Sequence, residues 1–235
     1  MNKKLQYQML LMILGIIVIF NLAIIFTNNE PAKEVYNVTE VGKNANGTVY
    51  KIIAGNKSSN DTVGLILGVH PREHEIHEAV NETIYNITKE GGANNLSKKY
   101  VIYYVKVNDN LKSREETRDA GELLANKYVV NKIAKDKPFI VLDIHEIDPT
   151  YEYSDFIFSL SNRTAKVNAT MENITKEVNL EDFPFDEGTS PDKVTRPIAN
   201  KGITTFLLET SIQDNMTQKQ KTAEKIINCV DGLTP

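Results

Sequence analysis

The sequence predicts an α/β domain built on a mixed, largely parallel sheet with helices on both faces, preceded by an N-terminal transmembrane helix. Three observations predict it. Short apolar runs bounded by polar residues recur along the chain, helical patterns separate them, and one long apolar run stands near the N-terminus. Strands that alternate with helices imply parallel neighbours joined by crossovers.

The elements follow in order. TVYKIIAG (48–55) and TVGLILGV (62–69) read as strands around a polar turn, the second apolar enough for a buried strand. Residues 72–89 place Ile76, Val80, Ile84 and Ile87 on one helical face, and GGANN (91–95) stops that helix. YVIYYVKV (100–107) is β-branched and aromatic, hence a strand. Residues 115–135 read as a second helix, PFIVLDIH (138–145) as a buried strand and YSDFIFSL (153–160) as an edge strand. A helix over 165–178, a long loop over 179–202, a strand at ITTFLLET (203–210) and a helix over 218–230 close the chain.

MLLMILGIIVIFNLAIIF (9–26) is interrupted only by Asn21, long enough for a helix that crosses a bilayer. Lys3 and Lys4 precede it, and no basic residue follows before Lys33. The positive-inside rule then leaves residues 1–8 as a cytoplasmic tail and puts the rest outside the cell membrane. A cleaved signal peptide is the competing reading, but it calls for a shorter apolar core and a small-x-small cleavage site. The polar stretch 27–46 reads as a stalk and 47–235 as the extracytoplasmic domain. Asn-x-Ser/Thr triplets at Asn37, Asn46, Asn56, Asn60, Asn81, Asn86, Asn95, Asn162, Asn168, Asn173 and Asn215 fit an outside location and could accept glycans. With one cysteine, Cys229, no intrachain disulfide can form. The net charge of −4 argues against nucleic-acid binding, which favours a basic face.

Three strands end in reactive side chains, and sites in open α/β sheets form beyond the carboxyl ends of strands. The 62–69 run leads into His70-Pro71-Arg72-Glu73, the 138–145 run ends at His145, and the 203–210 run reaches Glu209. Pro71 suits a first helical turn, so His70 lies at the strand–helix junction. Glu73, three residues on, shares its side of that turn. A catalytic zinc keeps three protein ligands and an open position; His145 can be the third. Asp143 shares a strand face with His145 and could orient it. Zinc polarises a carbonyl and lowers the pKa of water to about 7. A carboxylate off the metal would serve as base, and Glu209 is the candidate. A salt-bridged strand end is the plainer reading of Glu209 taken alone. His70 and Glu73-His74 also fit the inverted zincin pattern H-x-x-E-H, although Pro71 disfavours helical geometry at His70. His74 and His77 then read as solvent-facing helix residues, with His77 able to line the cleft.

His70-Pro71-Arg72-Glu73, Asp143-Ile144-His145 and Thr204-Thr205-Phe206-Leu207-Leu208-Glu209 together resemble the motifs of the zinc carboxypeptidase family, including compact members that act as deacylases or cell-wall peptide carboxypeptidases. The resemblance covers roughly residues 48–230. It implies one zinc at His70, Glu73 and His145, a general base at Glu209, and an arginine, Arg72, that contacts substrate or the developing oxyanion. The family's Asn-Arg pair between the second and third ligands has no adjacent counterpart here; Asn108, Arg114 and Arg118 are the nearby candidates for substrate binding. A tyrosine that larger members place before the base is also missing, and Glu146 stands where a small residue is usual.

The implied protein is a membrane-anchored metallo-carboxypeptidase or amidase acting on an extracellular peptide, such as a cell-wall peptide. The alternatives are a deacylase of small N-acyl amino acids and a surface glycoprotein that binds metal or ligand without turnover.

Overall fold

The computed structural model describes residues 34–90, 96–185 and 188–235. The tail, the apolar run and the first part of the stalk lie outside the described residues. Among the described residues, no helix is long and apolar enough to cross a membrane.

The strands are β1 (Glu34–Asn44), β2 (Gly47–Asn56), β3 (Thr62–Leu67), β4 (Lys99–Val107), β5 (Ile140–Ile147), β6 (Phe156–Ser159), β7 (Glu181–Asp182) and β8 (Thr204–Ser211). They form one sheet in the order β1-β2-β4-β3-β5-β8-β6-β7. The centre, β4-β3-β5-β8, is parallel. On one side β1 and β2 add an antiparallel hairpin, and on the other β6 runs antiparallel to β8. The sheet is therefore mixed: the two-residue β7 adds a short parallel edge beside β6, and the main parallel part occupies the middle. There β3 and β5 are buried at every position, as strands covered on both faces must be.

Helices cover both faces. On one lie α1 (His74–Glu90), α4 (Ala165–Val178) and α6 (Met216–Gly232). Their Ile76, Val80, Ile84, Met171, Ile174, Ile226 and Ile227 pack on Leu65, Leu142, Ile144, Phe206 and Leu208. On the other lie α2 (Arg114–Tyr128), α3 (Val130–Lys135) and α5 (Arg196–Ala199). There Leu124, Ile133 and Ile198 meet Ile66, Tyr103 and Val141. Alternate residues of one strand serve opposite layers, the period-2 consequence of the pleat.

Several elements differ from the sequence reading. Residues 34–44, assigned to the stalk, form β1. The compact unit accordingly runs from Glu34 rather than residue 47. Its alternating polar sequence hides it because an edge strand needs only partial burial: Tyr36 donates to Asn81 Oδ1 at 2.8 Å and packs edge-on against Tyr85. β6 is not the edge, since the two-residue β7 pairs outside it. The helix expected over 115–135 is two helices, broken at Val129. The 179–202 loop carries β7, a π-helical turn at Pro191–Thr195 and α5.

Two glycines shape the approach to the strand ends. Gly68 has φ +78°, and a Cβ there would lie 2.1 Å from Val105 O. It turns the chain out of β3 and towards His70, a conformation that glycine adopts without strain. Gly121 on α2 lies so close to Val69 that a Cβ would sit 1.8 Å from its carbonyl oxygen.

Candidate metal centre

The cluster forms at the carboxyl rim of β3, β5 and β8. His70 is extended (φ −109°, ψ 105°), and Pro71 opens a single 3-10 turn over Pro71–Glu73 that hands over to α1. That turn carries Glu73 back under His70: their side chains meet at 2.9 Å, Nδ1 to Oε1. His145, from β5, brings its Nδ1 to 2.8 Å from Glu73 Oε2 and 3.1 Å from His70 Nδ1. All three side chains are buried, and one ligand atom from each lies within 4.8 Å of the others. Among the described residues, no other group of three His, Cys, Asp or Glu side chains meets in this way.

The outer nitrogens decide the chemistry of the inner ones. His145 Nε2 lies 3.1 Å from Asp143 Oδ1, and His70 Nε2 lies 3.1 Å from Glu122 Oε1. Each outer carboxylate is placed to accept a hydrogen bond from a ring Nε2–H, and a neutral ring held in this way turns a bare Nδ1 inward. Without a cation, a proton on His145 Nδ1 bridges to Glu73 Oε2; with one, two imidazole lone pairs and a carboxylate can converge on it. That donor set of two histidines and a carboxylate is one that catalytic zinc uses. The residues therefore fit a divalent metal. Titration gives the same sign. Burial alone would lower the His145 pKa, yet Asp143 and Glu73 hold it well above the usual histidine range. Burial would raise Glu73, but hydrogen bonds to His145 and His70 drive it far down. The pocket favours positive charge.

Glu209 pairs across the β5–β8 register with His145. Its Oε2 is buried without a hydrogen-bond partner. Burial, aided by Glu73 and Asp143 and opposed by His145, pushes its pKa up to about 8. An uncompensated buried carboxyl is costly to keep unless it has a task.

A cavity of about 310 Å³ opens here, bordered by His70, Glu73, His145 and Glu209. Arg114 and Arg118 stand on its rim beside Tyr151 and Phe185. Arg118 donates to Glu73 Oε1 at 3.1 Å. Arg72 is exposed, donates to Lys112 O at 3.0 Å and lines a smaller adjoining cavity with Arg114 and Arg118. Asn108 is apart from both cavities: its side chain donates to Ala45 O at 2.8 Å and fastens the β1–β2 turn. His74 is exposed, so the H-x-x-E-H geometry does not form.

Two residues escaped the sequence reading. His77 is not a solvent-facing residue; it is fully buried, 2.7 Å from Ile144 O, and burial lowers its pKa to about 4. It ties α1 to the strand that carries His145. Glu122, the outer partner of His70, lies in the middle of a charged helix and has no sequence signal that separates it from Glu115 or Glu116.

No protein-family model matches the sequence, and no curated protein matches it. Solved structures do. A metallo-carboxypeptidase from Burkholderia cenocepacia is 14% identical with a TM-score of 0.57, covering 83% of this chain and 64% of its own. A metallo-carboxypeptidase from Pseudomonas aeruginosa, in complex with (2-guanidinoethylmercapto)succinic acid, is 12% identical with a TM-score of 0.52, covering 83% and 64%. An aminopeptidase from Legionella pneumophila is 9% identical with a TM-score of 0.51, covering 83% and 57%. The chain thus has the metallo-carboxypeptidase type of fold with a His-Glu-His cluster at its rim, and spans less than two thirds of the length of these three structures.

Proposed function

We propose that the protein is a zinc-dependent hydrolase that cleaves an amide bond in a carboxylate-bearing peptide outside the cytoplasm. Zinc would be held by His70, Glu73 and His145, and it would polarise the scissile carbonyl and activate water. The observation that carries the reading is the unpartnered Glu209 carboxyl set beside the converging Nδ1 atoms. A site that only stored metal would not need it.

In this reading Glu209 takes a proton from water and returns it to the leaving nitrogen. Its pKa of about 8 without metal suits a group that must both accept and release a proton near neutrality. Bound cation would bring that value down, since positive charge favours the carboxylate. Asp143 and Glu122 hold the imidazoles in the tautomer that leaves Nδ1 free. Arg114 and Arg118 supply guanidinium groups for a substrate carboxylate; the dicarboxylate bound by the Pseudomonas neighbour has the chemistry that such groups recognise. Arg72 would reach an oxyanion only after leaving Lys112 O. Anchorage through residues 9–26 and glycosylation of the asparagine triplets are supported by the sequence and belong to the same proposal, with wall or surface peptides as the nearest substrates.

The test is to measure zinc content and then hydrolysis of a peptide panel that includes D-residue and γ-linked amides. One zinc per chain with cleavage of at least one peptide is expected. Stoichiometric metal with no turnover on any member would favour a binding domain instead.

A further inference from the structure

The segment from Gly188 to Thr195 touches both sides of the metal cluster without contributing a ligand. Glu122, on α2, is completely buried. Besides His70 Nε2, it receives the Thr189 hydroxyl at 2.8 and 2.7 Å on its two oxygens, and Lys193 Nζ at 2.7 Å on Oε2. Six residues after Thr189, the Thr195 hydroxyl donates to Asp143 Oδ2 at 2.7 Å, with both residues fully buried. Each histidine therefore leans on a carboxylate, and each carboxylate is oriented by a hydroxyl from the same short segment. The segment is itself docked on α2 by Asn126, which donates to Lys193 O at 2.6 Å. Its π-helical turn at Pro191–Thr195 brings Lys193 and Thr195 to these partners.

We propose that Glu122 is the positioning residue of His70 and that the Gly188–Thr195 segment is a shared bracket that sets metal affinity through Glu122 and Asp143. The inference rests on the reading of His70, Glu73 and His145 as a zinc site. A carboxylate buried this completely is stable only while its oxygens are satisfied. Thr189 shares Oε1 with the His70 ring and Lys193 holds Oε2, so both oxygens of Glu122 are satisfied while Oε1 stays at the ring nitrogen. Gly188, Ser190 and Pro191 of the same segment border the cavity. The bracket thus joins the substrate wall to the metal's outer support. Outer partners of this kind fix ring orientation and ligand basicity.

The experiment uses the full chain stripped of metal and titrated with zinc against a chromophoric chelator, alongside thermal unfolding of each metal-free protein. Glu122→Ala is expected to weaken zinc binding by about 10–100-fold. Glu122→Gln, which keeps an acceptor oxygen for the His70 ring, should recover most of that loss. Thr189→Val with Lys193→Met, which leaves every carboxylate in place, should weaken binding by about ten-fold, and Thr195→Val should do so independently through Asp143. A purely structural role would lower the unfolding temperature and leave zinc affinity unchanged, and that result overturns the proposal. Should Glu122→Ala fail to fold, wild-type affinity in the Thr189/Lys193 double variant overturns it equally. If the wild-type chain itself binds no zinc, the metal-centre reading fails first and this inference fails with it.

Discussion

His145 on β5 and Glu209 on β8 are lateral neighbours in one parallel register, so the candidate third ligand and the candidate base share a strand pairing. Their spacing is set by the sheet rather than by flexible loops. Substituting Glu209 should therefore leave the metal cluster intact. Glu209→Gln is expected to keep one zinc per chain and to lose activity by about 10²–10⁴-fold, the usual worth of a positioned general base. Metal analysis and single-turnover kinetics on the same preparation check it; a fully active variant would remove Glu209 from the mechanism.

The same carboxyl makes the metal-free protein sensitive to pH. Folded, Glu209 keeps its proton up to about pH 8; unfolded, it ionises near the ordinary 4.5. The folded state binds the extra proton between those values. Its stabilising contribution is full below about pH 4.5 and is lost as pH rises through 8. Glu73 and Glu122, both shifted down, act in the opposite sense and below pH 4.5, so the windows separate. Urea unfolding of the metal-free wild type from pH 5 to 8 should show falling stability relative to Glu209→Gln. Parallel curves for the two proteins would mean that the carboxyl titrates normally.

Much of this architecture is legible in the residues, and the gaps have physical causes. The central strands announce themselves because both faces are covered and every side chain of TVGLIL and IVLDIHEI is buried. His70, His145 and Glu209 stand out because each follows such a run. Asp143 follows from the pleat. β1 is hidden by the opposite condition: an outer strand tolerates Asn37, Thr39 and Lys43, so its composition resembles a stalk. Glu122 and His77 are hidden because helices are judged by the periodicity of apolar residues. A buried polar residue satisfied by distant partners looks from the sequence like a solvated one. The Gly188–Thr195 bracket depends on contacts between residues 52 to 71 apart in the chain, which no local pattern encodes.

The inverted zincin alternative makes a different prediction about His74. In the fold His74 is exposed, while His145 lies with its Nδ1 at Glu73. Isothermal titration with zinc should find His74→Ala indistinguishable from wild type. His145→Ala should lose more than the 10–100-fold typical of an outer partner, because it removes a direct donor. Normal affinity in His145→Ala would reopen the helical motif.

Packing behind His70 offers a test that touches no polar group. Gly121 on α2 meets Val69 O so closely that an added methyl would overlap it at 1.8 Å. Backbone cannot yield as a flexible side chain can, so α2 must shift away from the β3 end. Gly121→Ala is expected to cost about 1–3 kcal/mol of stability, the usual range for overpacking, despite alanine's better helix propensity. The same shift moves Glu122, one residue on, away from His70 Nε2, so zinc affinity should fall together with the unfolding midpoint. A stabilised variant with unchanged affinity would show that α2 is free to slide.

β1 yields the last prediction. Removing residues 1–33 leaves every described strand in place, whereas removing 1–46 strips β1 from β2 along its whole length. The second cut also removes Tyr36 from its contacts with Asn81 and Tyr85, and Lys43 O from the Tyr128 hydroxyl at 2.9 Å. It would expose the unpaired backbone of β2, a long edge ready to pair with another chain. The 34–235 chain is expected to fold as a cooperative unit by thermal denaturation and circular dichroism. The 47–235 chain should unfold at lower temperature and associate, seen as higher-order species in light scattering. If the two chains melt together and stay monomeric, residues 34–44 contribute nothing to the domain and the boundary at residue 47 is restored.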